Sequence, residues 1–395
     1  MSKIFGSNLT LHIANGEMAV QAVRHAMDSG IPLVDYGQAH GELGHAPPRL
    51  HTRIQHVDEG IAHDAGNFSV RVASGCALGK LQAQLASAGQ FLPIDADDDL
   101  TIGEIITHNM CGALSVGFGQ LHDLVLAMTF VTGTGSLIEI ESEPHPREDV
   151  IRLMVGSMGE LGLITHMTLR TYARPAGALA VDLAMESLEL LDDLLMEWLK
   201  SDARPAWMTV RLEDHQFLTH LAYFGNPGQC AYQLRLLEML LDEHPGIRII
   251  GSADCPFDAD QRARATYRAW RREVWAVVQL FVSPRYTGFA CHAVAQRPFG
   301  DPQRIIEAYP PHGCIFVGGQ LNSREARHLD EQIAHITQPT GGLRLWHRRP
   351  NGTETIEPVG PGQPDWSIRR RIKRIFDPQC LLNPGRIIPI ADDRM

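Results

Sequence analysis

Apolar residues recur along this chain with two different periods, and the changes of period mark its elements. Residues 9–13 alternate apolar and polar and read as a strand. Over Gly16–Ser29 the apolar positions Met18, Ala22, Val23, Ala26 and Met27 share one helical face. Asn15 stands where an N-cap belongs, and Gly30 follows the last turn. Residues 31–35 form a second apolar run that opens into the loop 36–44. Strand, helix, strand and glycine-bearing loop predict a small βαβ unit. A second lobe starts at Val70, where VRVASG predicts a strand that Gly75 turns sharply into a helix over 78–88. Further on, LMVGSMGELGLITHMTLRTYARP predicts a helix end, a turn through Gly156, Gly159 and Gly162, and a strand over 161–169.

Beyond Pro175 the pattern becomes mixed. Helical periods occupy 188–199, 231–243, 261–277 and 325–336, and strand-like runs occupy 207–212, 220–224, 247–250, 286–290 and 315–317. Such alternation predicts an α+β layer. A stretch rich in Pro and Gly, 349–362, then leads to an amphipathic helix over 366–376, which Pro378 stops and Asn383-Pro384-Gly385 follows with a second turn. The basic residues Arg369, Arg370, Arg371, Lys373 and Arg374 occupy the polar faces of that helix and read as a solvated or partner-facing surface.

Composition excludes several functions. At 395 residues, 44% hydrophobic and 21% charged, the chain can bury the cores of about two soluble domains. A net charge of -11 leaves no basic excess for a nucleic-acid backbone. The seven cysteines form no CxxC, which suits reduced thiols and excludes a cysteine-ligated iron–sulfur cluster. The N-terminal residues lack the apolar stretch of a signal peptide, and no run is long enough to span a bilayer, so the expected compartment is the cytoplasm. Asp95, Asp97, Asp98 and Asp99 lack calcium-loop spacing and read as a solvated turn, and no metal site is expected. The GxxGxxG run from Gly156 follows a helix and opens a strand, the reverse of a dinucleotide fingerprint. Asp123 reads as a turn cap. Arg344, His347, Arg348 and Arg349 are candidates to receive a substrate carboxylate. There is no serine-nucleophile motif, HExxH or Walker loop.

The segments VRVASG, GQFLPIDADDDLTIGEIITHN, GQLHDLV and GSMGELG occur in an order and spacing that resemble the FAD-binding PCMH-type (vanillyl-alcohol-oxidase) flavoprotein family. The C-terminal IFDP and LNPGR resemble the closing signature of FAD-linked oxidases. The likeness is greatest to the type that includes the FAD-binding subunit of bacterial glycolate oxidase. It implies an α+β fold: a two-lobed FAD-binding domain over 1–175 (lobes 1–66 and 67–175), an α+β cap over 176–346, and a segment 347–395 returning to the first domain. It implies non-covalent FAD, with Gly37, Gln38, Ala39, His40 and Gly41 in the pyrophosphate loop. Pro93, Thr101, Gly103 and Glu104 form a second loop whose N–H groups are expected to stand open to a phosphate. Asn109 and Gly112 lie in a flavin-facing stretch, and the backbone of Gly162 and Ile164 in contact with the adenine side.

This chain also departs from the family. Gln38, Ala39 and His40 interrupt the glycine run, Glu104 replaces the second glycine of a pair, and an acidic, proline-bearing stretch over 141–149 replaces a family segment. The resemblance assigns no catalytic residue. It implies hydride transfer from a small 2-hydroxy acid, glycolate-like, to flavin and onward to a partner acceptor, with iron–sulfur and second flavin subunits as partners. The departures motivate an alternative, a flavin-free relative that serves as a structural or assembly subunit.

Overall fold

The computed structural model describes residues 9–35, 51–110, 112–141, 148–198, 200–213, 216–295, 305–353, 355–357, 359–360 and 365–388. The expected phosphate loop over 37–41 lies outside the described residues. The chain divides into two compact units: Met1–Cys111 with Gln120–Arg174 and Pro364–Met395, and Gly112–Gly119 with Pro175–Gln363.

The first unit opens with β1 (Thr10–Ile13), α1 (Gly16–Ser29), β2 (Leu33–Asp35) and β3 (Thr52–His56). Asn15 caps α1 by accepting the Met18 amide at 3.0 Å, and Gly30 closes it in the left-handed region at φ 69°. The predicted βαβ unit needs correction: β3 inserts between the other two strands in a parallel sheet of order β1-β3-β2. Its TRIQH alternation is short and follows a proline-bearing stretch, so it gave little signal. Next come β4 (Ile61–Asp64), β5 (Ser69–Ala73), α2 (Leu78–Ser87), β6 (Gln90–Phe91), α3 (Ile102–Thr107), then α4 (Ser115–Phe118), which belongs to the second unit, and α5 (Leu121–Leu124). After them follow β7 (Val125–Val131), β8 (Leu137–Glu141), α6 (Glu148–Met154), β9 (Leu163–Arg170) and β10 (Tyr172–Ala173). An antiparallel sheet of order β4-β5-β9-β7-β8 carries the second lobe. Its core joins Val70, Val72, Met128, Phe130 and Met167 to Leu78, Leu81 and Leu85 of α2. Gly75 makes the strand-to-helix turn possible, because a Cβ there would lie 2.5 Å from the Val57 carbonyl carbon. Asp123 forms a capping box with Gln120, as its position suggested.

The second unit is a nine-stranded antiparallel sheet with helices on both faces. In chain order it holds β11 (Gly177–Met185), α7 (Glu189–Trp198), β12 (Trp207–Glu213), β13 (Gln216–Gly225), α8 (Pro227–Leu241), β14 (Ile247–Cys255) and α9 (Phe257–Glu273). There follow β15 (Ala276–Phe281), α10 (Thr287–Ala295), β16 (Ile305–Tyr309), β17 (Cys314–Gly319), α11 (Ser323–Thr340), β18 (Leu343–Arg348) and β19 (Val359–Gly360). The strand order is β14-β11-β13-β12-β16-β17-β15-β18-β19. Side chains alternate as strand geometry demands. Val278, Leu280, Ile315 and Val317 join α7, α8, α10 and α11 in one core, while Val277, Cys314 and Phe316 join Trp270 of α9 in another.

Two expected elements are overturned here. The helical period over 261–277 ends at Glu273, and Ala276–Phe281 is an interior strand buried nearly throughout, whose apolar residues, broken only by Gln279, carry no clear period. The strand expected over 286–290 is the start of α10, whose Gly288 and Phe289 amides are capped by the Asp192 carboxylate at 2.7 and 3.0 Å. The chain finally re-enters the first unit through α12 (Trp366–Phe376).

Candidate cofactor site

Three segments far apart in sequence converge in the first unit: α3 with its C-terminal turn, the glycine turn after α6, and the stretch after α12. The Gly156 amide donates to the Ile106 carbonyl at 3.0 Å and the Met158 amide to the Thr107 carbonyl at 2.9 Å. Asn383, in the last of these, joins the glycine turn to the end of β2. Its side-chain amide donates to the Met158 carbonyl, its side-chain oxygen accepts the Asp35 amide at 2.7 Å, and its own amide donates to Leu33. The end of β2, from which residues 36–50 depart, is thereby pinned to the glycine turn. Gly159, at φ 69°, must be glycine because a Cβ would sit 2.5 Å from the Asn383 side-chain nitrogen.

Beneath this lies a buried ionic knot. Lys373 Nζ donates to Asp377 at 2.6 Å and to the carbonyls of Glu160 and Leu382 at 2.5 and 2.7 Å. The Asp377 carboxylate also accepts the amides of Leu381 and Leu382. Lys373 therefore does not belong to the solvated face on which the basic run placed it; it is 5% exposed. Glu160, equally enclosed, accepts the Ile387 amide at 2.8 Å. Burial pushes its carboxyl up to about 7, against the opposing pull of Lys373 and the C-terminal amides.

The second expected loop is built differently from the sequence reading. The Ile102 amide donates to Cys76, Gly103 to Ser74, Glu104 to the Thr101 hydroxyl and Ile105 to the Thr101 carbonyl. These N–H groups hold α3 onto β5 and do not stand open to a phosphate, because a one-and-a-half-turn helix docked on a sheet needs every amide. Pro93 and Glu104 are buried, and the Glu104 carbonyl receives His108 Nδ1 at 2.9 Å. Burial lowers the His108 pKa, so that its ring favours the neutral form; Asp35 and Arg386 are among the charges that reach it. Gly162 and Ile164 lie buried at the start of β9, where Ile164 pairs with Phe130 and its carbonyl accepts the Ser74 hydroxyl at 2.6 Å. Gly112 belongs to the second unit, and its carbonyl accepts the Ser115 hydroxyl.

Two unsatisfied polar atoms make a candidate place for a ligand edge. Asn109 Oδ1 and Ser157 Oγ are buried without a hydrogen-bond partner in the structure. The Asn109 side chain, on a backbone held at φ 48°, packs against Gly156, at φ 78°, which precedes Ser157. A buried acceptor and a buried hydroxyl left unsatisfied each cost stability unless a ligand completes them. A flavin ring edge, which offers both a donor and acceptors, suits this pair. Sequence reasoning reached Asn109 and missed Ser157, whose signal was hidden in the glycine run.

In the second unit, the four residues considered for a substrate carboxylate are already engaged. Arg344 grips Asp330 with two nitrogens, Arg348 donates to the Val274 carbonyl, Arg349 to the Ile356 carbonyl, and His347 pairs with Gln279 at 2.7 Å. The sheet face beneath α9 carries a different polar group, unseen in sequence. His220 meets Asp182 at 2.7 Å through Nδ1 and stacks on Tyr267. Arg271 lies between Glu307, Tyr309 and the Phe316 ring. Asp95 is buried, unlike the solvated turn expected of it, while Asp98 and Asp99 are exposed. No group suited to a metal ion occurs among the described residues.

A family model described as an FAD binding domain matches residues 9–141. Residues 9–141 thus carry an FAD-binding domain of the PCMH type, with FAD as the cofactor it implies. It is 27% identical to D-lactate dehydrogenase of Anaerostipes hadrus, over 94% of this chain and 87% of that protein. It is 26% identical to Glycolate oxidase subunit GlcE of Escherichia coli (strain K12), over 93% and 96%. Likewise it is 26% identical to D-2-hydroxyglutarate dehydrogenase of Xanthomonas citri pv. viticola, over 94% and 88%. The fold is shared with alkyldihydroxyacetonephosphate synthase, at TM-score 0.69 and 16% identity over 95% of this chain and 76% of that structure. Among the described residues no helix is long and apolar enough to cross a membrane.

Proposed function

We propose that this chain is the flavin-bearing subunit of a cytoplasmic enzyme that oxidises a small 2-hydroxy acid and passes the electrons to a partner protein. The observation that carries the reading is that relatives spanning nearly the whole chain are named for D-lactate, glycolate and D-2-hydroxyglutarate. FAD, when bound, supplies the hydride acceptor. Asn109 and Ser157 would hold the polar edge of its ring, and the Asn383 clamp keeps the end of β2 in register with them. The loop over 37–41 would receive the pyrophosphate. The hydride would leave the α-carbon of the substrate, and the wall of the site would keep water out. An iron–sulfur subunit is the acceptor this reading calls for, because the chain has no cluster-ligating cysteine spacing.

The test is a visible absorption spectrum of the purified protein before and after FAD is added and excess removed by gel filtration. A retained flavin band that bleaches anaerobically with glycolate, D-lactate or D-2-hydroxyglutarate supports the reading. A retained band that none of them bleaches overturns the substrate class, and a protein that stays colourless overturns the cofactor role.

A further inference from the structure

The outer face of α12 carries a stripe that the fold does not use. Ile368 and Ile375 are 57% and 73% exposed. They stand seven residues apart, roughly 10 Å along the axis, with Arg371 and Arg374 exposed between them. The inner face is fully committed: Ile372 and Phe376 pack into the core of the five-stranded sheet, and Lys373 closes the knot with Asp377. Arg369 is paired with Asp365 at 2.7 Å. Among the described residues, Arg371 and Arg374 have no ion pair. On a protein of net charge -11, this helix holds five cations and no acid.

We infer that this stripe docks an acidic, amphipathic helix of a partner protein. Two isoleucines at heptad spacing offer a ridge that a partner helix can straddle, and the arginines between them select carboxylates beside its apolar positions. Other occupants suit the surface less. A second copy related by a two-fold axis would set arginine against arginine. An anionic bilayer would meet a stripe of only two exposed isoleucines and would be repelled by the acidic remainder. The inference stands apart from the flavin reading, since no residue of the stripe belongs to the cofactor site.

The experiment is site-specific photocrosslinking in the native host. Ile375→p-benzoylphenylalanine is compared with the same replacement at Met239, which is similarly exposed on α8. The expected result is one crosslinked peptide from another protein, rich in Asp and Glu around apolar residues, at position 375 only. Arg371→Glu with Arg374→Glu should lower its yield at least about tenfold while the flavin content and melting temperature stay unchanged. A crosslink to lipid or to a second copy, equal labelling at both positions, no crosslink, or a yield indifferent to charge reversal would overturn the inference.

Discussion

The side-chain amide of Asn383 donates to the Met158 carbonyl at 2.6 Å, across 225 residues of sequence. The same side chain accepts the Asp35 amide, and Asn383 itself sits at φ 40°, a left-handed conformation that asparagine tolerates better than most residues. This one side chain aligns the end of β2, the glycine turn and the C-terminal LNPGR stretch. Asn383→Leu should lose two buried hydrogen bonds and strand their partners, which amounts to about 2–4 kcal/mol. Urea unfolding would measure that loss, and FAD retention after gel filtration should fall with it. A variant of unchanged stability would show that the clamp is dispensable.

Lys373 and Asp377 form a pair that is buried on both sides, at 6% and 0% side-chain exposure. Lys373→Met leaves a carboxylate without its cation in the interior and should cost about 3–5 kcal/mol. Lys373→Met with Asp377→Asn should recover part of that loss, because the uncompensated charge disappears. If the double variant is no more stable than the single one, Asp377 acts mainly through the amides of Leu381 and Leu382.

Glu160 makes stability depend on pH in a defined direction. Its carboxyl titrates near 7 when folded, against an ordinary value of 4.5. Between those two values the folded chain holds a proton that the unfolded chain has released. Stability therefore falls as pH rises from about 4.5 to 7 and levels off above, with a total change on the order of 3 kcal/mol. Glu160→Gln should flatten this part of the profile while keeping an acceptor for the Ile387 amide. Chemical denaturation at several pH values decides it: an undiminished slope in the Gln variant assigns the effect elsewhere.

Asn109→Leu removes an acceptor from the proposed flavin edge, and Ser157→Ala a hydroxyl. Each should weaken FAD binding about tenfold, equivalent to about 1.4 kcal/mol. Because the lost atoms are unpaired in the protein alone, the stability of the FAD-free chain should not fall for Ser157→Ala. Flavin fluorescence titration and thermal melts of the FAD-free form separate the two effects. A variant that loses stability yet keeps FAD affinity would assign these atoms to folding.

The sequence by itself determined what local chemistry governs. Asn15 and Gly30 bound α1, Pro378 ended the last helix, Gly75 marked a strand-to-helix turn, and the glycine and LNPGR motifs pointed to a flavin fold. Each of these signals acts within a few residues, through capping, a fixed φ or the lack of a Cβ. The tertiary structure alone decided the rest. Thr52–His56 became the middle strand of its sheet, and 276–277 left the expected helical period to open the strand Ala276–Phe281, because pairing with distant strands outweighs local propensity. The amides of the Thr101 loop were closed by carbonyls of the preceding strand and turn, and Lys373 was drawn from a basic surface run into a buried pair with Asp377. A hydrogen bond or an ion pair draws its strength from burial, and only the folded chain decides which groups are buried together.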